Sequence, residues 1–244
     1  MKKLIPLTKS YFLENKFAKG LKSELTEKIP ILYLSELSKR TSNPYSDIDD
    51  LYGITFIHVP KTAGTSIFEQ FFGLSHHGHF RPIHYYKYDK SKFLQSRKVA
   101  VVRNPWDKFI SAYHYIEQNL EPGSYGDRFK KQHFQGVDDF SLFKERFLNC
   151  SDFRSNITKW DHFRPQWDFI SLNDDYCVNT LGRFEKINDF IEEFKTIISH
   201  SDGSVLEKRN DSKRGDYRSY YCDSLINAVG ELYRKEIDFL GYEY

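Results

Sequence analysis

Two stretches of the chain repeat one pattern: a short unbroken apolar run, a polar turn carrying a proline, then apolar positions at helical spacing. In the first, Ile54-Thr55-Phe56-Ile57 leads through Pro60 and Lys61-Thr62-Ala63-Gly64-Thr65-Ser66 into a helix that continues to about Phe72 and stops at Gly73. In the second, Lys98-Val99-Ala100-Val101-Val102 runs through Arg103-Asn104-Pro105 into Trp106, Phe109, Ile110, Tyr113 and Ile116, which share one helix face. The prolines end the strands. Continuous apolar runs suit parallel strands covered on both faces, and a repeated strand, turn and helix predicts βαβ units around a parallel sheet.

The same reading predicts a later strand over 176–184 and helices over 139–148, 151–160, 187–198 and 219–239. Residues 14–27 read as a helix, 31–37 as a short strand or a helical turn, and 40–50 as a loop. Residues 75–87 have poor periodicity and read as an active-site loop with room for a short helix. Residues 119–137, polar and holding Gly123, Gly126 and Gly136, read as a long flap, and 201–215 as a basic loop. The expected organisation is an N-terminal segment, 1–50, packed on an α/β domain spanning 51–244.

Composition narrows the function. A net charge of +2 over 244 residues excludes a nucleic-acid coat, so any anion site is local and made by a few placed cations. Cys150, Cys177 and Cys222 are odd in number and widely spaced, which reads as reduced thiols. The histidines between His76 and His84 lack the spacing of a helical ligand pair, so no metal is expected. No apolar stretch approaches the roughly 18 residues of a membrane span, and the expectation is a soluble, cytoplasmic protein.

Lys61 to Ser66 offer a cation, a glycine, three hydroxyls and the free N–H groups of a helix start, which together suit a phosphate or sulfate. The turn is not a Walker A loop, because the lysine precedes the glycine, and no strand ends in an obvious Mg²⁺-binding aspartate. Arg103 stands at the end of a parallel strand, where open α/β sheets bind ligands, and with Ser111 it suits a second phosphate.

Taken together, Ile57 to Ser66 and Val102 to Tyr113 resemble the 5′-phosphosulfate loop and the 3′-phosphate motif of sulfotransferases that use 3′-phosphoadenosine 5′-phosphosulfate. Leu181-Gly182-Arg183-Phe184-Glu185 and the tyrosine-rich tail resemble their carbohydrate branch, which includes Golgi-type and bacterial enzymes. The resemblance implies a P-loop-like three-layer α/β fold and in-line sulfuryl transfer to a hydroxyl of a carbohydrate or glycan, without a metal. It implies that Thr62, Ala63, Gly64, Thr65 and Ser66 cradle the 5′-phosphate, that Lys61 steadies the leaving oxygen, and that Arg103 and Ser111 hold the 3′-phosphate. It also implies that Lys213, Arg214 and Gly215 close on that phosphate. Two base candidates remain: the pair His77 and His79, slightly favoured, and Glu69. Arg164-Pro165-Gln166-Trp167-Asp168-Phe169-Ile170 resembles a recurring segment of bacterial carbohydrate sulfotransferases, and His162, Arg164 and Gln166 are assigned to acceptor contacts. The rival readings are a small-molecule kinase needing Mg²⁺ and a non-catalytic nucleotide-binding module.

Overall fold

The computed structural model describes residues 30–73, 78–118, 120–198 and 215–244. The chain divides into two compact units, residues 1–42 and 43–244. In the first, helix α1 (Ile31–Thr41) replaces the expected short strand or single turn. Lys39 and Arg40 in its last turn face the negative end of the helix dipole. The expected helix over 14–27 lies outside the described residues.

The second unit begins with α2 (Asp47–Tyr52), where a loop was expected. Asp49 explains it: one carboxylate oxygen accepts from the Ser46 N–H at 2.6 Å and from its hydroxyl at 2.8 Å. The other oxygen accepts from the Phe56 N–H at 3.2 Å. The acid reads as loop composition but caps a helix and ties it to the next strand.

Strand β1 (Ile54–Ile57) then leads into α3 (Gly64–Phe72), and α4 (Pro82–Tyr88) and α5 (Lys90–Gln95) lead into β2 (Arg97–Val102). Helix α6 (Pro105–Glu117) follows, capped by the Asn104 side chain. The expected flap over 119–137 instead contains α7 (Tyr125–His133), with Phe129 fully buried. Its glycines mislead because Gly123 and Gly136 flank the helix, each at positive φ. Helices α8 (Phe140–Asn149), α9 (Ser151–Thr158) and the short α10 (Trp167–Ile170) precede a two-residue hairpin, β3 (Ser171–Leu172) and β4 (Asp175–Tyr176). Strand β5 (Thr180–Arg183) leads into α11 (Ile187–Ile197).

The expected final helix is two, α12 (Asp223–Leu232) and α13 (Arg234–Leu240), parted at Tyr233. That tyrosine is buried and its hydroxyl donates to the Phe163 carbonyl at 2.5 Å. The break lets α13 turn its buried Glu236 inward.

The three parallel strands lie in the order β1-β2-β5, with Ile57 beside Ala100 and Val102 beside Arg183 at their C-terminal ends. Phe56, Ile67, Phe68, Val99, Val101, Phe190 and Phe194 form one core around the sheet. Burying each such side chain contributes about 1.5–3 kcal/mol. A second, aromatic cluster forms around Phe109, whose ring lies 4.9 Å from that of Phe147 and 5.4 Å from that of Phe163. All three cysteines are free thiols, and no helix among the described residues is long and apolar enough to cross a membrane.

Gly182, central in β5, lets α11 approach: a Cβ there would lie 2.4 Å from the Phe190 ring. Gly182→Ala should therefore lower unfolding stability by about 2 kcal/mol through overpacking, measured by chemical denaturation. Pairing it with Phe190→Leu should recover little of that loss, because leucine keeps the Cβ and Cγ that the new methyl would meet at 2.9 and 2.4 Å.

Candidate functional site at the strand ends

The turn after β1 is unusual in its backbone. Lys61 and Ala63 both take positive φ, 69° and 71°, on either side of Thr62. For residues with a Cβ this conformation is costly, and it persists where surrounding structure enforces it. Alternating backbone handedness makes successive N–H groups converge into an anion-binding nest. The Thr62 hydroxyl donates to the Val59 carbonyl at 2.9 Å and holds the turn from inside. Gly64 opens α3 because a Cβ there would lie 2.1 Å from the ring of His58, itself 2 % exposed.

Helix α6 brings the second motif to the same place. Arg103, Asp107, Ser111 and Tyr115 follow one another at four-residue spacing, so the last three line one stripe of the helix. The first and last residues of this series both meet Lys61. Arg103 Nη1 donates to the Lys61 carbonyl at 3.1 Å, and Lys61 Nζ lies 4.6 Å from the centre of the Tyr115 ring. Ser111 is buried one turn before Tyr115.

The Arg103 guanidinium is held on several sides: its Nε and Nη2 each lie 2.7 Å from one Asp107 oxygen, and its plane sits 3.9 Å over the ring of Phe184, the residue after β5. Glu185, next along, accepts from the Asn104 N–H at 2.6 Å and from the Tyr242 hydroxyl at 3.1 Å.

Of the base candidates, His79 joins this cluster. Its ring lies 4.5 Å from that of His58 and 5.1 Å from that of His162. His162 in turn stacks on Tyr115 at 4.2 Å, with the planes 18° apart. A row of rings therefore runs from His79 to the aromatic face on which Lys61 rests. His79 Nδ1 lies 3.4 Å from the His58 carbonyl, which favours the proton on Nδ1 and leaves Nε2 as an acceptor. Glu69 is half-buried on α3, and its carboxylate has no hydrogen bond or ion pair with any described residue. His77, Lys213 and Arg214 lie outside the described residues, and Gly215 stands exposed at the edge of them.

The segment expected at the acceptor divides. His162 belongs to the ring row. Arg164 is engaged locally, with Nη1 3.1 Å from Asp168 and Nη2 donating to the Lys159 carbonyl at 2.6 Å. Gln166 corrects the expectation: it is fully buried, and its amide hydrogen-bonds both the N–H and the carbonyl of Arg103 at 2.8 Å. Its Nε2 also donates to Glu236 at 3.0 Å, whose second oxygen accepts from the Trp167 N–H at 3.0 Å. An amide so committed to the chain is not presented to a ligand.

Beside it, Lys108 is wholly buried and donates to the carbonyls of His162 and Arg164, both at 2.9 Å. Burial pushes the Glu236 carboxyl up to about 7 and the Lys108 ammonium down to about 8, with their mutual attraction opposing both shifts.

The sequence motifs missed His58, Lys108, Tyr115, Glu236 and the role of Asp107. Four-residue spacing from Arg103 would have found Asp107 and Tyr115. The others depend on contacts distant in sequence.

A cleft of about 410 Å³, lined by Tyr52, Ile54, Arg97, Glu193, Thr196 and Ile197, lies at the opposite, N-terminal ends of β1 and β2. It holds none of these groups.

In comparison with known proteins, the family model described as "Sulfotransferase family" matches residues 44–243. No curated protein and no solved structure matches the chain.

Replacing Lys108 by Met leaves two buried carbonyls without a donor and Glu236 without its attracting cation. Lys108→Met should cost about 3 kcal/mol near neutral pH. The loss should depend on pH with a definite sign. The Glu236 carboxyl titrates higher folded, about 7, than at its ordinary 4.5. Its contribution to stability is then full below the unfolded value and disappears as pH rises through the folded one. Asp161 and Asp168, which also act on Lys108, add to the same field. Denaturation of the variant should show greater stability near about pH 5 than near about pH 8, with Lys108→Met/Glu236→Gln flattening the dependence.

Proposed function

Because the chain belongs to the sulfotransferase family, we propose that it moves a sulfuryl group from 3′-phosphoadenosine 5′-phosphosulfate to a hydroxyl of a carbohydrate. The observation that carries this reading is the bridge between the two anion sites. The nest at Lys61–Gly64 and the Arg103 guanidinium share the Lys61 carbonyl at 3.1 Å. Two groups so joined suit one ligand with two separated anions, as a 3′,5′-substituted nucleotide is.

The donor supplies an activated sulfuryl group whose departure leaves adenosine 3′,5′-bisphosphate. Toward it, Thr62, Ala63, Gly64, Thr65 and Ser66 offer backbone N–H groups at the start of α3. The Lys61 ammonium faces the leaving side, where negative charge develops in the transition state. Arg103 and Ser111 bind the 3′-phosphate, with Asp107 and Phe184 holding the guanidinium plane. Lys213, Arg214 and Gly215 retain their expected part in closing on that phosphate.

His79 is the base. With Nδ1 directed to the His58 carbonyl, Nε2 is the atom that takes the acceptor hydroxyl's proton. The aromatic row of Tyr115 and His162 beside it supports a sugar ring over a phosphorylated acceptor. Arg164 remains the acceptor-side cation. Three free thiols support a reducing compartment such as the cytoplasm.

Titration with adenosine 3′,5′-bisphosphate and ADP should show at least about tenfold preference for the former, the worth of one charge-assisted contact. Arg103→Ala should abolish the preference, and equal affinity in the wild type would refute the two-anion reading. In turnover at saturating donor without added divalent cation, His79→Ala should lose about 100-fold or more while Glu69→Gln stays within about threefold. The reverse ranking would move the base to α3.

A further inference from the structure

Strand β2 pairs with β5 as far as Val102 and Arg183. One residue later, Arg103 has left the ladder, and its N–H and carbonyl need other partners. The side chain of Gln166 supplies both. Its Oε1 accepts from the Arg103 N–H and its Nε2 donates to the Arg103 carbonyl, each at 2.8 Å. A primary amide reproduces the donor and acceptor that a neighbouring strand residue would offer. The bond pair clamps the peptide from which the Arg103 side chain departs, so it fixes where the guanidinium begins.

Glu236 decides which way the amide faces. A carboxylate accepts, so the second N–H of Nε2 turns toward it at 3.0 Å, and Oε1 is left for Arg103. The same carboxylate holds the Trp167 N–H at 3.0 Å, fixing the backbone just beyond Gln166. Lys108 fixes the backbone just before it through the carbonyls of His162 and Arg164. Glu236, Gln166 and Lys108 are each no more than 1 % exposed. Three polar side chains are thus buried together, although packed apolar residues of similar volume often stabilise a fold as well or better. Such an arrangement is explained by position, since its bonds to the backbone end on Arg103 and on the segment from His162 to Trp167.

We propose that Gln166 is a positioning residue for the 3′-phosphate: it holds the Arg103 peptide in the register that lets the guanidinium meet that group, and Glu236 sets the orientation of its amide. This rests on the reading of Arg103 as the 3′-phosphate ligand.

The test compares adenosine 3′,5′-bisphosphate with adenosine 5′-monophosphate, which lacks only the 3′-phosphate, by calorimetric titration of the full chain. The wild type should prefer the bisphosphate by about 30-fold. Gln166→Met should reduce that preference to about threefold while the monophosphate affinity stays unchanged. Gln166→Met/Arg103→Ala should bind the bisphosphate no worse than Arg103→Ala alone, because both substitutions act on one contact. Glu236→Gln, milder in packing, should show the same selective loss to a smaller degree and serves where Gln166→Met does not fold.

A Gln166→Met or Glu236→Gln protein that keeps the full preference, or loses affinity equally for both nucleotides, overturns the proposal and leaves a purely structural amide. A wild type without any preference is a different result: it removes the 3′-phosphate reading itself.

Discussion

A parallel sheet has to end, and where it ends its last peptide groups lose their ladder partners. In this chain the partners found at that edge are also the parts of the site. After β1, the peptides turn into a strained nest instead of pairing. After β2, Arg103 is paired by a glutamine amide and Asn104 by the Glu185 carboxylate. After β5, the chain supplies the Phe184 ring beneath Arg103. The need to satisfy three strand ends within a few ångströms brings together segments that begin near residues 60, 103, 166 and 184. The proposed anion site is built on those solutions.

The C-terminal helices serve the same edge. Tyr233 breaks what periodicity reads as one helix, and the break is what brings Glu236 under Gln166. Tyr242 and the Leu240 carbonyl engage Glu185 and Arg183 at the end of β5. Residues remote from the chemistry therefore fix the backbone that carries it, and the membership in the family extends to that tail.

The parallel sheet, the helices after each strand and the two turns that carry the proposed anion motifs were legible in sequence because they depend on local pattern. Apolar runs, prolines and helical spacing report neighbours within about a turn or a strand. Helix α2 was locally encoded as well, yet Asp47, Asp49 and Asp50 resembled loop composition. Read as acids at a helix start, they would have pointed the other way. Gln166 was visible but assigned the wrong partner. Its true partners lie 63 and 70 residues away, beyond any spacing rule. The same applies to the row of rings, since His58, His79, Tyr115 and His162 come from four separate segments.

The contact between Gly64 and His58 has a consequence for how such a chain can change through descent. The imidazole occupies the volume in which any larger residue at 64 would place its first carbon. The two positions form one unit of inheritance: a bulkier residue at 64 becomes viable only after the ring at 58 has shrunk. A ring retained at 58 confines position 64 to glycine regardless of what the loop binds. At this position the requirement for glycine comes from a neighbour six residues earlier.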